Sequence, residues 1–310
     1  MGLSIYLPVA GNSINILLLL GLGGVVGFLS GLFGVGGGFL LTPLLIMIGI
    51  PPTVAAASDS NQIVAASTSG TYAHARGGTV DLKMGTLLII GGVVGGTFGV
   101  RLIKLLRAMG EADFIITIFY VVMLGGIGSY MFYDSVQGLR GKQEEDGQVT
   151  SQKRPSIYAR TINSLPFKME FTRSKIILSA LVPLFLGILV GILAAIMGVG
   201  GGFIMVPVMV YLLRMPMHVV VGTSLLQILF TCLNVTVMQS WMNHTVDFML
   251  ALMLLIGSVI GAQIGARVSS RLKADQLKIL MSIIVLSVMI KMLVGLLTRP
   301  EILITYGGGH

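Results

Sequence analysis

The stretch AAASDSNQIVAASTSGTY (55–72) places one carboxylate, Asp59, among Ser58, Ser60, Asn61, Gln62, Ser67, Thr68, Ser69 and Thr71 in an otherwise apolar run. A second stretch, VVVGTSLLQILFTCLNVT (219–236), carries Thr223, Ser224, Gln227, Thr231 and Asn234. Hydroxyls and amides can hydrogen-bond an oxyanion without adding fixed charge, which suits weak binding and ready release. A carboxylate within an apolar segment is a functional candidate, and proton coupling is its natural chemistry. The alternative for Asp59 is an N-cap on a helix begun after Pro51–Pro52. Asp81 and Asp247, each in a TVD triplet before an apolar run, are expected to cap the helices they precede.

A second pattern offers backbone chemistry. GVGGGF occurs at 34–39 and again at 198–203, each time with Pro four residues beyond the Phe. Glycine in a helix interior costs about 1 kcal/mol relative to alanine, so four in five positions mark a break. The helix that restarts after such a break presents N–H groups without intrahelical acceptors, which favour an anion. Gly36, Gly37, Gly38, Gly200, Gly201 and Gly202 are therefore candidate substrate-binding residues. Ser60, Asn61, Gln62, Thr223, Ser224 and Gln227 join them, with Asp59 as the coupling candidate. The competing reading makes the glycines tight turns between packed hairpins. The motif is not a nucleotide loop, because it lacks GK[ST] and carries Phe39 where GxGxxG needs a glycine.

The elements that hold these residues are membrane helices. The 310-residue chain is 55% hydrophobic and 10% charged, with mean hydropathy +0.94. Soluble domains carry roughly 25% charged residues. The apolar runs do not alternate, which excludes a transmembrane barrel. The net charge of +8 sits mainly in gaps between apolar runs and forms no patch among aromatics, so nucleic acid is not the partner. The lone Cys232 excludes an intrachain disulfide. Residues 1–13 contain no Lys or Arg, and no cleavable signal peptide is expected.

Apolar segments fall near 14–33, 37–50, 53–73, 84–100, 114–133, 176–197, 201–213, 217–240, 248–266 and 277–298. The chain divides into a first membrane repeat (1–133), a polar cytoplasmic connector (134–175) and a second repeat (176–310). The connector is expected to be flexible, with SLPFKMEF at its end on the membrane surface. The repeats match in order and spacing. LFGVGGGFLLTP aligns with IMGVGGGFIMVP, Ser60 with Ser224, and GGVVGGTFGVR (91–101) with GSVIGAQIGAR (257–267). With five segments per repeat all crossing, the second repeat enters from the opposite side, an inverted repeat. That topology gathers Arg76, Lys83, the connector's basic residues, Arg214, Arg267, Arg271, Lys273 and Lys278 on one side. Arg101, Lys104, Arg107 and Arg299 fall on the other. The positive-inside rule then puts the connector in the cytoplasm and both termini outside. A re-entrant second segment in each repeat would make the repeats parallel and divide the charges more evenly. The expected fold is an all-α polytopic membrane protein whose glycine-broken short helices lie near the midplane.

Gly91, Gly95 and Gly99, with Gly257, Gly261 and Gly265, recur every fourth residue and read as helix-packing surfaces, which could also support a homodimer. No His/Cys/Asp/Glu spacing suits a metal, and no cofactor is expected. No GxSxG occurs and Ser60 has no His or Lys beside it in sequence, so an enzyme is not expected. A membrane-embedded enzyme, or an assembly partner without flux, stands as the alternative.

GVGGGF with its following Pro in each half, VGTS at 221–224, and TVD before a glycine-rich helix resemble the TauE/SafE family of membrane proteins. The resemblance covers nearly the whole chain except 134–175. It implies a secondary active exporter of a small anion such as sulfite or an organosulfonate, in a bacterial inner membrane. The first half departs from the pattern, with Ser58-Asp59-Ser60 where GTS would stand. Asp59 would repel an anion unless protonated, so a proton-linked cycle accompanies the implied function.

Overall fold

The computed structural model describes residues 4–33, 38–140, 167–171, 173–174, 176–209, 213, 215–269 and 274–298. Ten α-helices lie among them. The first half contributes α1 (Ile16–Phe33), α2 (Gly38–Met47), α3 (Pro52–Arg76), α4 (Leu82–Ala108) and α5 (Ala112–Arg140). The second contributes α6 (Leu181–Met197), α7 (Gly202–Pro207), α8 (Met217–Met238), α9 (Phe248–Ser269) and α10 (Ala274–Thr298). Five helical stretches are long and apolar enough to cross a membrane, those of α4, α5, α8, α9 and α10. α3 is long but carries the Ser/Thr/Asn/Gln series, and α1, α2 and α6 offer only shorter apolar spans.

Each half opens with a small antiparallel hairpin that the sequence reading missed. β1 (Ser4–Leu7) pairs with β2 (Asn12–Asn15), and β3 (Lys168–Phe171) pairs with β4 (Ile176–Ser179). The second hairpin takes the KMEF of SLPFKMEF, expected as a surface segment. Pairing satisfies the strand's backbone groups, and Phe171 is fully buried. α5 continues to Arg140, into the stretch expected as the connector. Residues 141–166 lie outside the described residues.

The halves interlock reciprocally. α1 packs along α9 and α6 along α4, while α3 packs on α8 and α5 on α10. Glycines set the first two contacts. A Cβ on Gly91 would lie 2.2 Å from Leu184 O, and one on Gly95 2.0 Å from Ile188 O. Across the other pair, Gly257 would meet Leu20 O at 2.3 Å and Gly261 would meet Gly24 O at 2.0 Å. These are small-residue surfaces bringing backbones together, as the four-residue spacing indicated, and they are occupied within the chain.

The TVD aspartates fasten this arrangement. Asp81 caps α4 by accepting from Met84 N, and its second oxygen accepts from Ser174 N and Oγ in the turn between β3 and β4. Asp247 accepts from Leu250 N at the start of α9 and from Val9 N in the turn between β1 and β2. Each aspartate's own N–H donates to the opposite half's third helix: Asp81 N to Thr223 Oγ1, Asp247 N to Ser58 Oγ. Both expected caps are present, and each also binds the other half's hairpin.

Those bonds pair Ser58 with Thr223, one position away from the alignment of Ser60 with Ser224. The helix starts agree, since α3 begins at Pro52 and α8 at Met217. In this register Asp59 corresponds to Ser224, and Gln62 to Gln227.

Candidate functional site

The second glycine motif is a tight turn. α6 ends at Met197, and Gly198, Gly200 and Gly201 adopt φ of 72°, 69° and 75°. L-residues other than glycine avoid this left-handed region. Gly198 also passes so close to α3 that a Cβ would stand 2.1 Å from Ala56 O. Ser60 secures the approach by donating to both Ala56 O and Gly198 O. Gly202 then opens α7. In the first half, residues 34–37 lie outside the described residues, so the expectations for Gly36 and Gly37 fall there; Gly38 opens α2.

The two motifs meet through their phenylalanines. Phe39 and Phe203 stack with ring centroids 4.4 Å apart and planes 5° from parallel. Both rings are buried, and offset stacking of this kind adds about 0.5–1.5 kcal/mol beyond burial. The starts of α2 and α7 are thereby held side by side.

Beside them lies a cavity of about 360 Å³. Gly38, Val199 and Gly202 contribute the glycine-motif wall. Its polar lining is Ser30 from α1, Gln62 and Ser67 from α3, Ser224 from α8, and Ser258 and Gln263 from α9. Ile63, Leu225 and Ile228 are part of an apolar remainder. No charged side chain lines it among the described residues. The Gln62 side chain is 5% exposed and its Oε1 has no hydrogen-bond partner among the described residues. A buried carbonyl oxygen left unpaired costs about 1–3 kcal/mol, and such groups call for an explanation.

Of the residues singled out by sequence, Gly38, Gly202, Gln62 and Ser224 line this cavity. Ser60 and Gly200 shape its wall from behind, Gly200 lying against Cys232 and Ile228, while Gly201 lies against Val190 of α6. Three others are placed elsewhere. Thr223 accepts the Asp81 N–H, a fastening role. Gln227 donates to Thr231 Oγ1, and both side chains lie against Gly92 of α4. Asn61 is half-buried on α3 and does not line the cavity. The cavity is thus one-sided: Gln62 faces it while its counterpart Gln227 is packed on α4. Ser30, Ser258 and Gln263 were not singled out, because each sits in a glycine-rich run that reads as packing surface.

Asp59 is fully buried in the interior of α3, not at its start. It is no cap; the Thr53 N–H at the start of α3 donates instead to Asp113 Oδ1. Asp59 Oδ2 accepts from Thr42 Oγ1 at 2.8 Å, and Oδ1 has no partner among the described residues. A Cβ added at Gly38 would be 3.3 Å from Asp59 Oδ2. The carboxylate therefore sits directly behind a residue of the cavity wall that has no side chain.

The helices line a small, partly open and mainly apolar pocket with a few polar side chains, and the relatives place the chain in a class of membrane transporters. The model of the family described as "Sulfite exporter TauE/SafE" matches residues 19–292, and the chain belongs to this family. The chain is 28% identical over 244 residues to a Bacillus subtilis protein named "Probable membrane transporter protein YjnA", covering 77% of this chain and 83% of that one. It is 26% identical over 252 residues to "Probable membrane transporter protein YunE" of the same organism, covering 77% and 82%. "Sulfite exporter TauE/SafE family protein 2" of Arabidopsis thaliana is 30% identical over 100 residues, covering 32% of this chain and 22% of that one. No solved structure matches. The chain is a multi-pass membrane protein of a transporter family, and the relatives named here are named for transport or export rather than for an enzymatic reaction.

Proposed function

We propose that the protein is a secondary active transporter that exports a small anion, such as sulfite or an organosulfonate, across a bacterial inner membrane. The observation that carries this reading is the cavity beside Gly38 and Gly202, whose otherwise apolar lining carries four serines and two glutamines. Ser30, Ser67 and Ser258 can donate to an oxyanion, Ser224 can do so by turning its hydroxyl away from Val221 O, and Gln62 can turn its amide N–H groups toward it. The absence of Lys and Arg from the described lining suits a site that must release its anion as readily as it binds it.

The two halves are read as an inverted repeat, with the connector in the cytoplasm and both termini outside. The reciprocal packing of α1 on α9 and α6 on α4, and the paired aspartate bonds, support this reading. Asp59 is assigned the coupling proton. Its buried, half-unpartnered carboxyl behind Gly38 lies close enough to sense an anion in the cavity.

Flux in proteoliposomes tests the reading. Purified protein offered sulfite, sulfoacetate or thiosulfate should move at least one of them, faster with an imposed pH gradient than without. Absence of flux for all three under either condition would contradict it.

A further inference from the structure

Asp59 belongs to a row of four oxygen-bearing groups that crosses the molecule from α3 to the end of α6. Thr42 Oγ1 of α2 donates to Asp59 Oδ2 at 2.8 Å. The Tyr120 hydroxyl of α5 lies beside Thr42 and donates to Met197 O. Thr42, Asp59 and Tyr120 are all fully buried, so water does not complete the row. Met197 is the last residue of α6, immediately before Gly198. The next carbonyl, Gly198 O, is held by Ser60, the neighbour of Asp59 on α3.

Counting hydrogens shows what this row does. Four oxygens, Asp59 Oδ2, Thr42 Oγ1, the Tyr120 hydroxyl and Met197 O, leave three gaps to be bridged. Thr42 and Tyr120 supply one hydrogen each, and a carbonyl supplies none. With Asp59 ionised, two hydrogens serve three gaps, and one gap stays open. Either Tyr120 keeps Met197 O and faces Thr42 without a hydrogen between them, or it turns to Thr42 and leaves Met197 O unpaired. With Asp59 protonated on Oδ2, its O–H donates to Thr42, Thr42 to Tyr120 and Tyr120 to Met197 O. All three gaps are then filled in one direction.

We propose that Tyr120 is a positioning residue that transmits the protonation state of Asp59, through Thr42, to the end of α6 and the glycine turn lining the cavity. Protonation completes the row and fixes Met197 O; loss of the proton frees the turn to shift. This rests on the transporter reading and on Asp59 as proton carrier. Among the described residues, the titratable groups facing Asp59 are Tyr120 from α5 and Cys232 from α8. α2 and α6 carry no titratable side chain, and the one on α9, Arg267, is in its last turn.

The test compares wild type with Tyr120→Phe, Thr42→Val and Thr42→Ser. In proteoliposomes the readout is the ratio of sulfite or sulfoacetate flux with and without a pH gradient. Tyr120→Phe and Thr42→Val should keep flux without a gradient while the ratio falls to unity, and Thr42→Ser should restore it. A wild-type ratio in Tyr120→Phe overturns the proposal. A wild-type protein whose flux ignores the gradient overturns it together with the proton-coupling reading. A second readout needs no substrate: amide hydrogen exchange of the segment 194–205, corrected for intrinsic pH dependence. Its protection should change with pH in wild type but not in Tyr120→Phe or Asp59→Asn. Protection that is pH-independent in wild type, or pH-dependent in Tyr120→Phe, overturns the proposal whatever the flux. A Tyr120→Phe protein that does not assemble passes the decision to the Thr42 pair.

Discussion

The glycine turn at 198–201 makes a prediction whose size follows from the structure. Gly198→Ala meets two separate costs. Its φ of 72° puts an L-residue in the left-handed region, which costs about 1–2 kcal/mol. Its new Cβ would lie 2.1 Å from Ala56 O and 2.5 Å from Ala56 Cα, both backbone atoms of α3 that cannot rotate away. Overpacking of that kind costs about 1–3 kcal/mol more. The total is about 2–5 kcal/mol. Gly110 supplies the control. Its φ is 80°, but nothing lies within 4 Å of an added Cβ, so Gly110→Ala carries the conformational cost alone. Chemical unfolding of both variants in one detergent, against wild type, separates the two terms. Gly198→Ala should lose clearly more stability than Gly110→Ala. It should also lose flux in whatever fraction folds, because relieving the clash moves the turn off Ser60. Equal losses in the two variants would refute the close approach of the turn to α3, and with it the shape of the cavity wall.

Other consequences can be checked alongside. A double-mutant cycle on Phe39→Ala and Phe203→Ala should return a coupling energy of about 0.5–1.5 kcal/mol in unfolding, from the stacked rings; a value near zero would mean the two motifs do not touch. Gln62→Leu removes an unpaired buried carbonyl, so stability should hold or rise while apparent substrate affinity falls about tenfold, the equivalent of 1.4 kcal/mol; unchanged affinity would remove Gln62 from the site. Asp247→Ala should cost about 1–3 kcal/mol, because it strips the cap of α9 and leaves Val9 N without its acceptor. Proteolysis of the first hairpin should then quicken, and an unchanged cleavage rate would contradict the clasp.

Sequence and structure agree where one local rule decides the outcome. A glycine every fourth residue forces close helix packing, and Gly91 and Gly257 deliver it. An aspartate before an apolar run caps a helix, and Asp81 and Asp247 do so. Of the duplicated GVGGGF, Gly38 and Gly202 line the cavity. What was not legible depends on which surfaces meet. Thr42 and Tyr120 are unremarkable in apolar runs and gain meaning only where α2, α3 and α5 converge on Asp59. Asp59 reads equally well as a cap after Pro51–Pro52 until α3 is seen to begin at Pro52. Gln227 shares Gln62's chemistry and repeat position, yet it packs on α4 because Gly92 leaves room for it there. The hairpins escaped notice because four-residue strands beside long apolar runs carry little periodic signal. The one-residue shift that pairs Ser58 with Thr223 is invisible to an alignment of serines and explicit in the two bonds from aspartate N–H groups to their hydroxyls.

The central claim is that substrate occupies the cavity between the two glycine motifs. Gln263 lines that cavity and is exposed, so Gln263→Cys in a Cys232→Ser background places one reactive thiol at its wall. The rate of labelling by a small maleimide, measured with and without a transported anion, tests the claim directly. The account predicts that the transported anion slows labelling at concentrations near its KM, while an anion that is not transported leaves the rate unchanged. Labelling that ignores the transported anion, in a variant that still carries it across the membrane, would contradict the assignment of this cavity as the substrate site.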